Sequence, residues 1–254
     1  MRRTTSIRIS LLGICFLSGA VNASDRANCF VPPELARFEF PLKRIGDHLG
    51  LSEPIIIVAL GSSSTAGAGA SSPAKVYPSR LASELERIFP SERTEVLNRG
   101  VNGERAVDML ARFDKSVSAE HPDVVIWQLG SNAVLRGFEP ANFLIREGID
   151  RMKSIGADII LIDPQYAPKL LARPQLEEMI DFISSTAKRE KVDLFHRFAL
   201  MRHWHDVEGM PFEAFSSADG LHMNDWSYDC LAKGLARAIA EAATRGRNRT
   251  TKFE

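Results

Sequence analysis

Apolar residues gather along this chain in two kinds of run. The stretches "PIIIVAL", "PDVVIWQLG" and "ADIILID" are continuous, of strand length, and lack polar alternation. Strands covered on both faces have that character. "TEVLN" and "VDLFHRF" are shorter, weaker runs of the same kind. Between them lie segments whose apolar positions recur three and four apart, the helical period. "YPSRLASELERIF" sets Leu81, Leu85 and Ile88 on one side and stops at Pro90, and "ERAVDMLARFDKSV" does the same with Val107, Leu110 and Val117. "EPANFLIREGIDRMKSIG" ends at Gly156, "RPQLEEMIDFISSTAKRE" carries Pro174 near its first turn, and "NDWSYDCLAKGLARAIAEAATR" closes the series. Strand and helix alternate throughout, which predicts the α/β class. The architecture expected is a three-layer α/β/α sandwich around a central, mostly five-stranded parallel sheet.

The two ends fall outside that alternation. "MRRTTSIR" is a basic segment, "ISLLGICFLSGAV" an apolar one, and "VNA" ends in a small residue. Residues 1–23 therefore read as a signal peptide cleaved near Ala23, and the mature protein as exported, periplasmic or secreted. The apolar run is too short for a convincing membrane span, so no stable membrane insertion is expected after cleavage. Residues 24–54 read as an irregular N-terminal arm with one helical turn, 55–244 as the domain, and 245–254 as a polar tail. "NRT" at 248–250 matches a glycosylation acceptor but is short and terminal.

Cleavage changes the charge and the cysteines. The whole chain of 254 residues carries 32 Lys and Arg against 32 Asp and Glu. The leader removes three arginines and no acids, leaving a mildly acidic protein with nothing to favour a nucleic-acid partner. It also leaves Cys29 and Cys230. In an oxidising compartment these can pair and tie the arm to the last helix, or they remain two thiols.

In parallel sheets functional groups collect at the carboxyl ends of the strands. Three unusual segments fall there: "GSSSTAG", "NRGVNGE" and "LGSNAV", with "SSADGLHMND" before the last helix. A phosphate cradle is a poor match, because "GSSSTAGAGASS" has neither the Gly-Lys-Ser/Thr of a P-loop nor G-x-G-x-x-G. A serine nucleophile fits better. It needs a base, a group that orients the base, and donors for the developing oxyanion. His222 with Asp219 three residues earlier supplies the first two, a backbone N–H in the "GVNGE" turn and the Asn132 amide the third. "RHWHD" places His203 and His205 beside Asp206 but has no companion cluster, so no metal is expected.

These segments together resemble the SGNH (GDSL-type) hydrolase family. Its first block aligns with Gly61-Ser62-Ser63-Ser64-Thr65, its second with Gly103, its third with Gly130-Ser131-Asn132-Ala133 and its last with Asp219 and His222. The resemblance spans residues 55 to 240. It implies a flavodoxin-like sandwich and singles out Ser63 among the serines as nucleophile. It further implies His222 as base, Asp219 as its orienter, and an oxyanion hole of Ser63, Gly103 and Asn132, with no cofactor. Two positions depart: Ser62 stands where the family has Asp, and Ala133 where it commonly has Asp. Gln165 and Tyr166, after the fourth strand, are candidates to line the substrate cleft. The expected activity is hydrolysis of acetyl or other short acyl esters, small-molecule or carbohydrate. Alternatives are an O-acyltransferase or deacetylase acting on envelope or extracellular polysaccharide, and a non-catalytic carbohydrate-binding domain of the same fold.

Overall fold

The computed structural model describes residues 29, 31–51, 53–137 and 142–250. The leader and its cleavage position at Ala23 lie outside them. Five strands form one parallel sheet: β1 (Ile55–Gly61), β2 (Thr94–Gly100), β3 (Val124–Gln128), β4 (Asp158–Ile162) and β5 (Asp193–Phe195). Their order is β2-β1-β3-β4-β5. Register brings Gly61 opposite Gly100, and Leu60 opposite Trp127.

The helices are α1 (Lys43–His48), α2 (Ser63–Ala66), α3 (Tyr77–Ile88), α4 (Ala106–Ala111), α5 (Phe113–Ser116), α6 (Ser131–Leu135), α7 (Asn142–Ser154), α8 (Pro168–Leu171), α9 (Leu176–Glu190), α10 (Arg197–Asp206), α11 (Phe212–Phe215) and α12 (Asp225–Thr250). Successive β1 side chains point to opposite faces. Ile57 and Ala59 pack with Leu81 and Leu85 of α3 and Leu235 and Ile239 of α12. Val58 and Leu60 pack with Met109 of α4, Ile149 of α7 and Ile183 of α9. Both layers are apolar, which is why the strands show no alternation.

Several boundaries differ from the sequence reading. "ERAVDMLARFDKSV" forms two short helices, α4 and α5, and "VDLFHRF" yields only three strand residues before the chain turns into α10. "RHWHD" is the last turn of α10. The segment read as a polar tail continues α12 to Thr250, because it has partners in the arm. Arg245 Nη2 donates to the Phe38 carbonyl at 2.6 Å. Gly246 packs so closely on Leu42 that a Cβ there would lie 2.6 Å from its carbonyl oxygen.

Three aspartates at the amino ends of the strands strap the arm across the sheet. Asp193 Oδ1 accepts the Glu39 and Phe40 N–H groups at 2.9 and 3.0 Å, and Asp158 Oδ2 accepts Arg44 N–H at 2.8 Å. Asp123 accepts Ile56 N–H at 2.9 Å and lies 3.5 Å from the His48 ring. Cys29 is joined to Cys230, with Cα atoms 5.4 Å apart. Among the described residues no helix is long and apolar enough to cross a membrane.

Candidate active site

β1 delivers the chain to the carboxyl edge at Gly61. Ser62 then turns it into the short helix α2, of which Ser63 is the first residue. The turn is fixed from the neighbouring strand. Gln128, the buried last residue of β3, accepts both the N–H and the hydroxyl of Ser62 at its Oε1, at 3.0 and 2.9 Å. Thr65 Oγ1 lies 3.5 Å from the same oxygen and 3.4 Å from the Tyr77 hydroxyl, which burial pushes up to about 12. Gly100 ends β2 against the backbone of Thr65 and Ala66, where a Cβ would lie 2.6 Å from the Thr65 carbonyl carbon. Only a residue without a side chain lets strand and helix approach so closely.

Ser63 Oγ lies 2.8 Å from His222 Nε2, and His222 Nδ1 lies 2.5 Å from Asp219 Oδ2. A carboxylate can only accept at Nδ1, so the ring carries its proton there and Nε2 is left to accept from the Ser63 hydroxyl. The other Asp219 oxygen accepts from Ser217 Oγ at 2.7 Å and from the Leu221 and His222 N–H groups at 2.9 Å. Partial burial works to raise the Asp219 carboxyl. The hydrogen bonds from Ser217, His222 and Leu221 outweigh it and hold the group well below the usual carboxylate range. The start of α12, just after His222, is tied to the loop following α2. Tyr228 donates to the Ala68 carbonyl at 2.7 Å, and Ser71 Oγ donates to Asp225 at 2.5 Å.

The oxyanion candidates from the sequence follow β1, β2 and β3. Ser63 opens α2, so its N–H has no acceptor within the helix. Gly103 has φ +80°, in a turn that favours glycine. Asn132 Nδ2 donates to the Glu104 carbonyl at 2.9 Å, joining the loops after β2 and β3. Behind Asn132 lies a cavity of about 40 Å³, walled by Met109, Ile145, Met179 and Phe182 among others. A larger one of about 780 Å³, between the arm and β5, includes none of these site residues.

Gln165 does not line a cleft. It is 1 % exposed; its Oε1 accepts from Ser131 Oγ at 2.8 Å and its Nε2 donates to the Leu221 carbonyl at 3.1 Å. With both ends of the amide engaged, it braces the loop of Asn132 against that of His222. The strand end beneath it is clamped by buried Arg197, whose Nε and Nη2 donate to the Asp163 carbonyl at 2.9 and 2.5 Å. Burial draws that guanidinium down to about 10 and pushes the Asp163 carboxyl up to about 7. Tyr166 packs among Phe198, His205 and Phe212, its hydroxyl 3.5 Å from Asp206. His203 and His205 form separate pairs with Glu208 and Asp206, and among the described residues no group of three or more His, Cys, Asp or Glu is placed to hold a metal. From the sequence Gln128 reads only as the core or edge residue that ends the third strand; the signal for its role is one amide closing the apolar run "VVIWQ".

The model of the non-GDSL lipase-like family matches residues 28–245. An arylesterase of Vibrio mimicus is 27 % identical over 171 residues, 66 % of this chain and 80 % of that protein. The esterase TesA of Pseudomonas aeruginosa is 28 % identical over 129 residues, half of this chain and 60 % of its own length. The crystal structure of a lipase/acylhydrolase from Enterococcus faecalis superposes with a TM-score of 0.58 at 26 % identity, covering 74 % of this chain and 96 % of the other.

Proposed function

Because the chain belongs to the non-GDSL lipase-like family, whose relatives here include an arylesterase and an esterase, we propose that it is a carboxylic ester hydrolase working through Ser63, His222 and Asp219. The observation that carries this reading is the continuous line of hydrogen bonds from Ser63 Oγ to His222 Nε2 and from His222 Nδ1 to Asp219. Ser63 Oγ attacks the ester carbonyl while His222 takes its proton, and Asp219 stabilises the resulting imidazolium. The oxyanion takes hydrogen bonds from the Ser63 and Gly103 N–H groups and from the second N–H of the Asn132 amide. One such donor lowers the barrier by about 3–4 kcal/mol. His222 returns the proton to the departing alcohol, leaving an acyl-enzyme. Water, deprotonated by the same imidazole, releases the acid. No step requires a metal or organic cofactor.

The leader sequence and the joined Cys29 and Cys230 favour action outside the cytoplasm, after cleavage near Ala23. A fluorophosphonate probe tests the assignment directly. It adds one adduct to the native protein, mapped to Ser63 by peptide mass, and none to Ser63→Ala. Labelling at another serine refutes it.

A further inference from the structure

Among the described residues, the cations around the loops of Gly103 and Asn132 are paired with acids, with one exception. Arg112 pairs with Glu104 at 2.6 Å, Arg99 with Glu120 at 2.6 Å, and Arg105 lies 3.9 Å from Asp108. Arg136 is exposed and has no acidic partner among the described residues. Its position is nonetheless defined. It follows Asn132 by four residues and its N–H donates to the Asn132 carbonyl at 3.2 Å, so the two side chains rise from one face of the same turn. Asn132 reaches the Glu104 carbonyl. The Arg136 guanidinium comes over Gly103, its Nη2 3.3 Å from where a Cβ would stand. The cation thus lies beside both loops expected to hold the oxyanion.

From this geometry we infer that Arg136 recognises a carboxylate carried on the acyl part of the substrate, making half-esters of short dicarboxylic acids the preferred class. The inference rests on the esterase reading above and deepens it. His222 must protonate the departing alcohol. Arg136 lies over Gly103 and one turn on from Asn132, and the oxyanion these are expected to hold is the acyl carbonyl's own oxygen, so the cation serves the acyl portion. A fork of guanidinium donors suits a carboxylate, and among the described residues this one has no acid to displace. A field acting on the oxyanion alone is a weaker account. The group is exposed, water screens it, and the donors it would assist are already in place.

The test compares the p-nitrophenyl half-ester of glutaric acid with p-nitrophenyl valerate, on the native protein, Arg136→Ala and Arg136→Lys. The ratio of kcat/KM for the charged ester to that for the neutral one falls by about fivefold in Arg136→Ala, mostly through KM, as for one partly exposed ion pair. Arg136→Lys recovers part of it, and salt erodes the ratio in the native protein only. A ratio that moves by less than about twofold, whether both esters slow together or neither does, overturns the proposal. Calorimetric binding of methyl hydrogen glutarate to Ser63→Ala and to Ser63→Ala/Arg136→Ala reads the same preference without turnover. A native protein that cleaves neither ester refutes the esterase reading. Equal affinity in the two binding experiments refutes the role of Arg136 by itself.

Discussion

The Gln165 amide nitrogen lies 3.1 Å from the Leu221 carbonyl oxygen, one residue before His222. Its other end holds Ser131, one residue before Asn132. A single buried side chain therefore sets the spacing between the base and the amide expected to hold the oxyanion. Gln165→Leu keeps the volume and removes both bonds. It leaves the Ser131 hydroxyl and the Leu221 carbonyl without this partner, at a cost of about 1–3 kcal/mol. Misplacement of the loops lowers kcat by up to about 10²-fold. The checks are thermal unfolding and kcat with KM. A variant that loses stability and keeps kcat shows that the brace serves folding alone.

Asp219→Asn isolates the role of the carboxylate. An amide in its place can donate to Nδ1, which turns the ring proton toward Ser63 and removes the acceptor the hydroxyl needs. Loss of activity on the order of 10⁴-fold is expected, with the fold retained. Ester hydrolysis measured beside circular dichroism checks both halves. A loss below about tenfold would show that the ring is oriented by other means.

Stability should fall between weakly acidic and neutral pH. Burial, the largest cause in each case, pushes the Asp158 and Asp163 carboxyls up to about 7 and that of Asp193 up to about 6. Their folded values exceed the ordinary Asp value of about 3.9. As pH rises through the interval between, the unfolded chain ionises first and binds fewer protons, so stability declines. Asp219 has the opposite sign. Its folded value is lowered, so its contribution is present above the unfolded value and lost as pH falls through the carboxylate range. Urea midpoints should be highest near pH 5 and lower at pH 8, whereas a midpoint that climbs over that interval contradicts the assignment.

The arm buries Phe38, Leu42 and Ile45 in the core, and of the polar groups that hold it Asp193 is the most productive to remove. Asp193→Ala strips the acceptor from the Glu39 and Phe40 N–H groups, a loss of about 1–3 kcal/mol for each that stays buried. Hydrogen exchange should quicken at residues 39 and 40 before it does in β1. Unchanged exchange there would show that the buried apolar residues of the arm, the Cys29–Cys230 link and the contacts of Arg245 suffice to hold the strap.

The sheet and its helices were legible because the pattern behind them is local. A strand buried on both faces reads as a solid apolar run, and each helix carries its stripe within a few turns. The meeting of Ser63, His222 and Asp219 was legible for a different reason: Ser63 follows a strand's carboxyl end, the other two lie in the loop before the last helix, and the block order of the resembled family chose among the serines. The braces were not legible. Gln128 meets Ser62 across 66 residues, and Gln165 meets Ser131 and Leu221 across 34 and 56. A glutamine gives no sequence cue to such partners, and Gln165 was accordingly expected to face substrate. Residues 245–250 read as a tail because they are polar, while the contacts that keep them helical come from Phe38 and Leu42 some 207 residues away.

The central claim is that Ser63, activated by His222, is the nucleophile of an ester hydrolase. Its most direct test is steady-state hydrolysis of p-nitrophenyl acetate by the protein lacking residues 1–23 and by its Ser63→Ala form. The account predicts turnover by the first and a fall to the uncatalysed background in the second, with folding unchanged. Equal turnover by both proteins would contradict it and place the nucleophile elsewhere.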